Sequence, residues 1–584
     1  MPGSLPIRGW RNGSEWMKGW IMDDGNATMR LRQPLVAVVR VTTACMVRAR
    51  AIVALAGVAL FAATLLSAPA AAQTPTPHKG GTLVVALDGS GLGTLNTQMT
   101  SATSALTVAD IWADGLFARD AKGQKVPHLA TSWDVSSDLK TYTFHLRSDV
   151  KWSDGEPFSS ADVAFTLLEV AKFNTYQTQT LANVASVETP DTATFVVHTK
   201  APLAVMLDAF DKEVFPLMAK HVYEHTDITL NPANRNPVGL GPFKLQSWEQ
   251  GRALTFVRNP YFWDSPKPYL DSVVVAIIPD MQQETNALLR GEIDFMKLPY
   301  TQLKRIQDAS ADGKVIAHKV ELSAPERSSL DLNIARKPFD DVRVRQALLI
   351  AMDRSRIVSD AYHGFAIEAG NAIPEQFTDL TDPSIKYSEL YAHDPAKAAK
   401  LLDEAGYPLV NGKRFSIELT YASADFNRVI MEPMAQILAA QWGAIGIDVK
   451  LAGLDIQLWI DKVYNHRDFD ASLVSLTGRT DPMLGVDRSF LCNSTHLPYV
   501  NPTSYCNPAL DAVAAKANTA AAADRRQYYK TYIEIVAHDL NEITLTNVST
   551  YYGVSTRFEN LQKQFDISFN EYPNWADVWL KSGQ

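Results

Sequence analysis

The sequence predicts an α/β protein. Segments with the helical spacing of apolar residues alternate along the chain with short apolar or strictly alternating runs of strand length. The composition is that of an ordinary globular chain: 584 residues, 46% hydrophobic and 20% charged, with 30 Gly and 31 Pro. It excludes collagen-like, low-complexity and disulfide-scaffold proteins, and the length provides for several lobes with buried cores.

The first 72 residues stand apart. Arg40, Arg48 and Arg50 precede the uncharged run Ala51–Leu66, and Ala70, Ala71 and Ala72 follow before Gln73. A basic region, an apolar region and a small-residue cleavage site make a secretory signal, cleaved after Ala72. The run of 16 residues is shorter than the ~20 a membrane span needs, which disfavours the alternative of a membrane anchor. Residues 1–45 are long for such a signal and read as an overextended start, with Met29 or Met46 as shorter ones. Beyond residue 72 the chain has 47 basic and 61 acidic residues, a net charge of −14, and only Cys492 and Cys506. That balance argues against a nucleic-acid partner. In an exported protein the two cysteines read as a disulfide, the alternative being two free thiols.

The elements follow in order. Residues 73–78 are a Pro-rich linker, and Thr82–Leu87 is a buried strand. Thr141–Arg147 alternates Tyr142, Phe144 and Leu146 against polar residues as a half-buried strand. Lys151–Phe158 is a turn, and a helix capped by Ser160 buries Val163, Leu167, Val170 and Ala171. Thr194–Thr199 is a strand. Phe243–Trp248 and Ala253–Arg258 form a hairpin around Glu249-Gln250-Gly251. Gln282–Arg290 is a helix ended by Gly291, and Glu292–Met296 a strand. Asp341 caps a helix running to Gly364. Asp394, Pro395 and Gly406 punctuate another helix at both ends. Strands around Ile417–Tyr421 and Ile447–Leu451 flank a helix over Phe426–Trp442.

Catalytic signatures are missing. No HExxH, CxxC, Walker loop or GxSxG occurs, and Gly89-Ser90-Gly91-Leu92-Gly93 has the wrong spacing for a nucleotide loop and reads as a plain turn. The 12 His are scattered. Neither a cofactor nor a metal site is indicated.

Six blocks, taken together, resemble the family 5 extracytoplasmic solute-binding proteins of ABC transporters. They are Leu129–Trp133 with Tyr142–Arg147; Lys151–Pro157; Gly239–Phe243 with Arg258–Trp263; Gly291–Asp294; Pro338–Ala347 with Asp353-Arg354; and the stretch 475–511. The resemblance spans nearly all of the chain beyond residue 72. It implies a two-lobed periplasmic-binding-protein fold (type II, cluster C) with an extra N-terminal domain. Lobe one would comprise 79–105, 203–331 and 545–584, the extra domain 106–202 and lobe two 332–544. Trp133 and Trp152 read as core packing, and Arg343, Arg345 and Arg354 as a structural ion-pair face. The implied role is a periplasmic, monomeric receptor that closes on a small-molecule or peptide ligand and presents it to ABC permease subunits, breaking no bond.

In peptide-binding members of that family an Asp in a stretch like WGADYPDP pairs with the peptide's α-amino group. Here the stretch is Ser475-Leu476-Thr477-Gly478-Arg479-Thr480-Asp481-Pro482. Arg479 replaces that Asp and suits a carboxylate, as in glutathione- and opine-binding-type relatives. The alternative is that Arg479 pairs internally with Asp481 or Asp470. Leu476, Thr477, Arg479 and Asp481 are therefore the candidate ligand residues in lobe two, with Asn96, Met99 and Phe117 opposite; the last three also admit a packing role. Nickel or haem carriage stays open without a His/Cys cluster to support it. The competing functions are a sensory binding protein for a membrane receptor and a secreted hydrolase, for which no nucleophile–base pair is visible.

Overall fold

The computed structural model describes residues 76–89, 92–100, 102–120, 124–174, 177–203, 205–212, 214–320, 326–423, 425–477, 481–494, 500–562 and 575–582. Residues 1–72, expected to be a signal, the expected cleavage site after Ala72 and Arg479 lie outside them. Among the described residues no helix is long and apolar enough to cross a membrane.

Three sheets organise the chain. The first has seven strands in the order Val315–Lys319, Tyr551–Ser555, Phe295–Lys297, Thr82–Leu87, Ser272–Ile277, Ala253–Arg258, Phe243–Glu249. Thr82–Leu87 is central and parallel to Ser272–Ile277, residue for residue from Thr82↔Ser272 to Leu87↔Ile277. The second has six, in the order Ala366–Glu368, Glu542–Val548, Glu326–Leu332, Ala471–Thr477, Phe415–Ala422, Ile447–Leu454. Its last two are parallel and joined by the helix Asp425–Ala444, because a parallel pair needs a long crossover. The third is a four-stranded antiparallel sheet, Ala130–Val135, Thr141–Leu146, Thr194–Thr199, Val184–Asp191.

Two passages connect the first sheet with the second, and they run side by side. Val315–Lys319 pairs antiparallel with Tyr551–Ser555 in the first sheet. Their continuations, Glu326–Leu332 and Glu542–Val548, pair antiparallel in the second. The lobe borders expected at 331/332 and 544/545 fall within these two strands, and the extra-domain border expected at 105/106 falls within a helix. Helix Thr103–Trp112 packs Val108, Ile111 and Trp112 into the core of the first sheet. The core of the third sheet extends from Leu116 through Phe210 and Phe215 to Ala219.

Local signals act as physical chemistry requires, with three shifts. The cap of the helix Ser160–Phe165 is Ser159, not Ser160: Ser159 forms a capping box with Asp162, whose Oδ2 accepts from the Ser159 N–H at 2.9 Å. The helix begun at Asp341 ends at Ala351, and a further turn, Arg354–Arg356, is capped by Asp353. The strand expected at Glu292–Met296 forms later, at Phe295–Lys297. Helix Pro395–Glu404 has Asp394 as its cap, accepting from the Lys397 N–H at 2.9 Å.

The sequence blocks meet at one junction between the third sheet and the first. Ser153 N–H donates to the Gly239 carbonyl at 2.9 Å, and Gly239 N–H to Ser153 Oγ at 3.2 Å. Asn259 Nδ2 donates to the Gly241 carbonyl at 2.9 Å. Arg147 lies over the Trp263 ring at 4.3 Å, and Gly155 sits against Tyr261. A Cβ on Gly239 would lie 2.0 Å from the Trp112 carbonyl oxygen, so only glycine permits this approach. Trp152 is fully buried here and Trp133 packs against the same core. Arg343 bonds its own helix cap Asp341, as a surface pair would. Arg345 and Arg354 are buried and donate to backbone carbonyls of Phe339, Asp539 and Ala369, and Arg354 also pairs with Glu368 at 3.6 Å.

Candidate functional site

The strand Ala471–Thr477 runs antiparallel to Glu326–Leu332 and ends at the hinge, where Thr477 lies opposite Glu326. The Thr477 side chain, Gly478, Arg479 and Thr480 are outside the described residues. Leu476 is buried in a cluster with Trp459, Tyr464 and Val474. Asp481 is also committed. Its carboxylate accepts from Arg525 Nη1 and Nη2 at 2.6 and 2.8 Å and from the Met483 N–H at 3.0 Å, capping the one-turn helix Pro482–Gly485. Asp470, the other internal partner considered for Arg479, is engaged by Arg336 at 3.2 Å and by the Glu418 N–H at 3.0 Å.

The opposite side is likewise occupied by structural bonds. Asn96 is buried; its Nδ2 donates to Asn234 Oδ1 at 2.9 Å and its Oδ1 accepts from the Gln98 N–H at 3.1 Å. Met99 is half-buried, and its N–H donates to the Asn96 carbonyl at 3.0 Å. Beside this loop Thr97 lines a small recess with Lys212 and Asp110, which pair at 2.5 Å. Phe117 packs edge-on against Trp133 at 4.6 Å and near Phe144 at 5.9 Å, inside the third core. Cys492 and Cys506 are joined in a disulfide.

The structure adds a feature absent from the sequence reading. Every residue of Glu326–Leu332 and of Glu542–Val548 is buried, although both strands are rich in polar residues. Alternation sends Leu330 and Leu332 into the apolar core and Arg327, Ser329 and Asp331 to the other face. There Asn547 stands opposite Arg327, Thr544 opposite Ser329 and Glu542 opposite Asp331. Arg327 Nη2 donates to Ser489 Oγ at 2.8 Å and to Glu542 Oε1 at 3.3 Å. Several polar atoms in this layer have no hydrogen-bond partner among the described residues: Arg327 Nη1, both amide atoms of Asn547, and the hydroxyls of Ser329, Thr544, Tyr387 and Tyr532. Burial and the neighbouring Glu542 push the Asp331 carboxyl well above the usual range, toward its neutral form. Buried polar groups without partners are costly, and a bound polar solute or ordered water satisfies them.

Two α/β sheets bridged by a pair of adjacent strands, with a buried polar layer on one face of the second, are the architecture of a clamp-type binding protein. The chain belongs to the bacterial extracellular solute-binding proteins, family 5, whose model matches residues 124–495. Glutathione-binding protein GsiB of Salmonella typhi is 30% identical over 386 residues, 64% of this chain and 69% of its own. Periplasmic oligopeptide-binding protein OppA of Haemophilus influenzae is 26% identical over 523 residues, 84% of this chain and 93% of its own. Among solved structures, the binding protein AgaA of A. tumefaciens R10 in complex with agropinic acid is 25% identical with a TM-score of 0.73, covering 86% of this chain and 99% of that one. The chain is thus a solute-binding component of an ABC importer. Members of the family are extracytoplasmic binding proteins that hand small ligands to permeases.

Proposed function

We propose that this chain, exported and cleaved after Ala72, acts as a monomer that closes its two lobes on a small peptide-like or other organic solute bearing a carboxylate, and releases it unchanged to the permease. The observation that carries the reading is cationic. Arg479 stands where peptide-binding relatives of this family carry the Asp that meets an ammonium group, and both aspartates weighed as its internal partners are already engaged by other arginines. Arg327 adds a second guanidinium, whose Nη1 has no hydrogen-bond partner among the described residues, in the polar layer of the same lobe. The names of two relatives, a glutathione-binding protein and a binding protein seen with agropinic acid, agree in chemistry.

Closure is favoured by a solute because only the closed form touches it from both sides. The test is thermal-shift screening of residues 73–584 against glutathione, opines, di- and tripeptides and nickel chelates. A bound solute at about 100 Kd stabilises by about 2.7 kcal/mol. Carboxylate-bearing solutes should shift the melting temperature and their amidated forms should not. Equal shifts by both forms would reject the carboxylate reading. Arg479→Ala should weaken binding by more than about tenfold, about 1.4 kcal/mol; an unchanged Kd would remove Arg479 from the site.

A further inference from the structure

Among the contacts that join the body of the second sheet to the other two sheets, two kinds differ in where they sit. At the hinge, Lys297 Nζ donates to Glu326 Oε2 at 3.2 Å. Beside it Tyr300 Oη donates to the Ser549 carbonyl at 3.0 Å, and the Tyr300 ring belongs to the apolar core of the second sheet. Met483 makes the other kind. It is 4% exposed and belongs to the apolar cluster of the third sheet, with Leu240 and Phe215. Leu240 lies in the junction that leads into Phe243–Glu249, the edge strand of the first sheet farthest from Val315–Lys319. At ~4.8 Å per strand that edge is about 24 Å from Tyr551–Ser555, so a lobe rotation that barely moves Tyr300 parts Met483 from its cluster.

The residues around Met483 form a short arm whose root is held twice. Arg525 grips the Asp481 carboxylate with Nη1 and Nη2 at 2.6 and 2.8 Å, and its Nε donates to the Ala517 carbonyl at 3.0 Å. Val486 and Phe490 are packed in a lobe-two cluster with Tyr529 and Tyr532. Between these anchors Pro482 starts the turn Pro482–Gly485, Asp481 accepts from the Met483 N–H at 3.0 Å, and the Val486 N–H donates to the Pro482 carbonyl at 2.7 Å. The backbone of the arm is thus committed to lobe two, while the Met483 side chain is committed to the opposing body.

We propose that the Pro482–Gly485 turn is a latch with Met483 as its tip, a positioning residue that holds the lobes together by burying its side chain in the third sheet, for part of the time even before solute arrives. The inference rests on the reading that the lobes close on a solute, and not on that solute carrying a carboxylate. Burial of the thioether side chain favours the shut form by removing apolar surface from water. Its withdrawal breaks no strong hydrogen bond, because the sulfur is only a weak acceptor. The latch therefore adds to the shut form without adding a polar barrier to release. Truncation at Met483 should lower the ratio of shut to open forms by at least about tenfold.

The test needs no solute. Residues 73–584 are exposed to dilute hydrogen peroxide, which transfers one oxygen atom to a methionine sulfur and leaves as water, and sulfoxide at each methionine is followed by mass spectrometry. Met206 belongs to the same cluster as Met483 and is fully buried, and Met434 is fully buried in the core of the second sheet. Rotation of the lobes frees neither, so Met483 should oxidise at least about tenfold faster than both. Equal rates would make the contact permanent and overturn the proposal, whether or not any variant folds. Small-angle scattering of variants then asks whether the side chain holds the lobes. Met483→Ala should enlarge the radius of gyration of the solute-free protein, and Met483→Leu, close in volume, should return it to the wild-type value. A radius unchanged in Met483→Ala overturns the latch, as does equal enlargement in both variants. A thermal-shift screen in which no carboxylate binds would defeat the proposed solute and leave these results standing.

Discussion

Replacing Gly239 by alanine places a methyl group 2.0 Å from the Trp112 carbonyl oxygen, which belongs to backbone and cannot swing aside. Gly239→Ala should cost about 1–3 kcal/mol or more in denaturant unfolding, and full stability in that variant would contradict the close approach. A second residue-scale expectation concerns Asp331. Its carboxyl is raised in the fold by burial and by Glu542, so its contribution to stability is greatest below the unfolded value of about 3.9 and is lost as pH rises toward its folded value. Asp331→Asn keeps the shape without the charge. Its stability relative to wild type should improve steadily above about pH 4, as read by melting temperature across pH; a difference independent of pH would mean that Asp331 is ionised in the fold. The bonds and rings that enclose Asn96 and Phe117 come from residues distant in sequence, such as Asn234 and Trp133. Nothing local reports such partners.

Elements are legible where a single residue type solves a local problem. Asp394 with Pro395, Asp341 and Gly291 mark helix ends because an oxygen must meet free N–H groups or a backbone must turn left-handed. Asp394→Ala should cost about 1 kcal/mol, checked by chemical denaturation. Ser159 and Ser160 stand together with the same side chain, and only the reach of Asp162 selects the first. The strands Glu326–Leu332 and Glu542–Val548 escape notice because hydrophobic periodicity looks for an apolar stripe, and theirs are interrupted by Arg327, Asp331, Glu542 and Asn547. Their burial comes from the helices packed over them. The segment from Leu491 to Asn507 depends on a different kind of tie. The disulfide between Cys492 and Cys506 closes a short loop, and reducing it should lower stability by about 3 kcal/mol, seen as a lower melting temperature in the presence of a thiol.

At the scale of the whole molecule, the three large sheets each carry their own apolar core. Met483, a lobe-two residue, lies in the core of the third sheet, which describes a shut clamp. Small-angle scattering should show a larger radius of gyration for the solute-free protein and a decrease when a carboxylate solute is added. A radius that ignores every solute tested would be incompatible with hinged capture. Loss of uptake of that solute on deletion of the gene separates a transport role from a sensory one.

The paired passages between the sheets have a consequence for how such chains can change over time. Because each passage is locked in register with the other at both ends, Val315–Lys319 against Tyr551–Ser555 and Glu326–Leu332 against Glu542–Val548, they can flex together but cannot slip past one another. The ladders already absorb one unmatched residue, Leu545, in a bulge opposite Ser328 and Ser329, and the pairings on either side of it stay in place. A lengthening of one passage is therefore tolerated where it can bulge out of the ladder, and elsewhere would turn Arg327 and its neighbours from one face to the other.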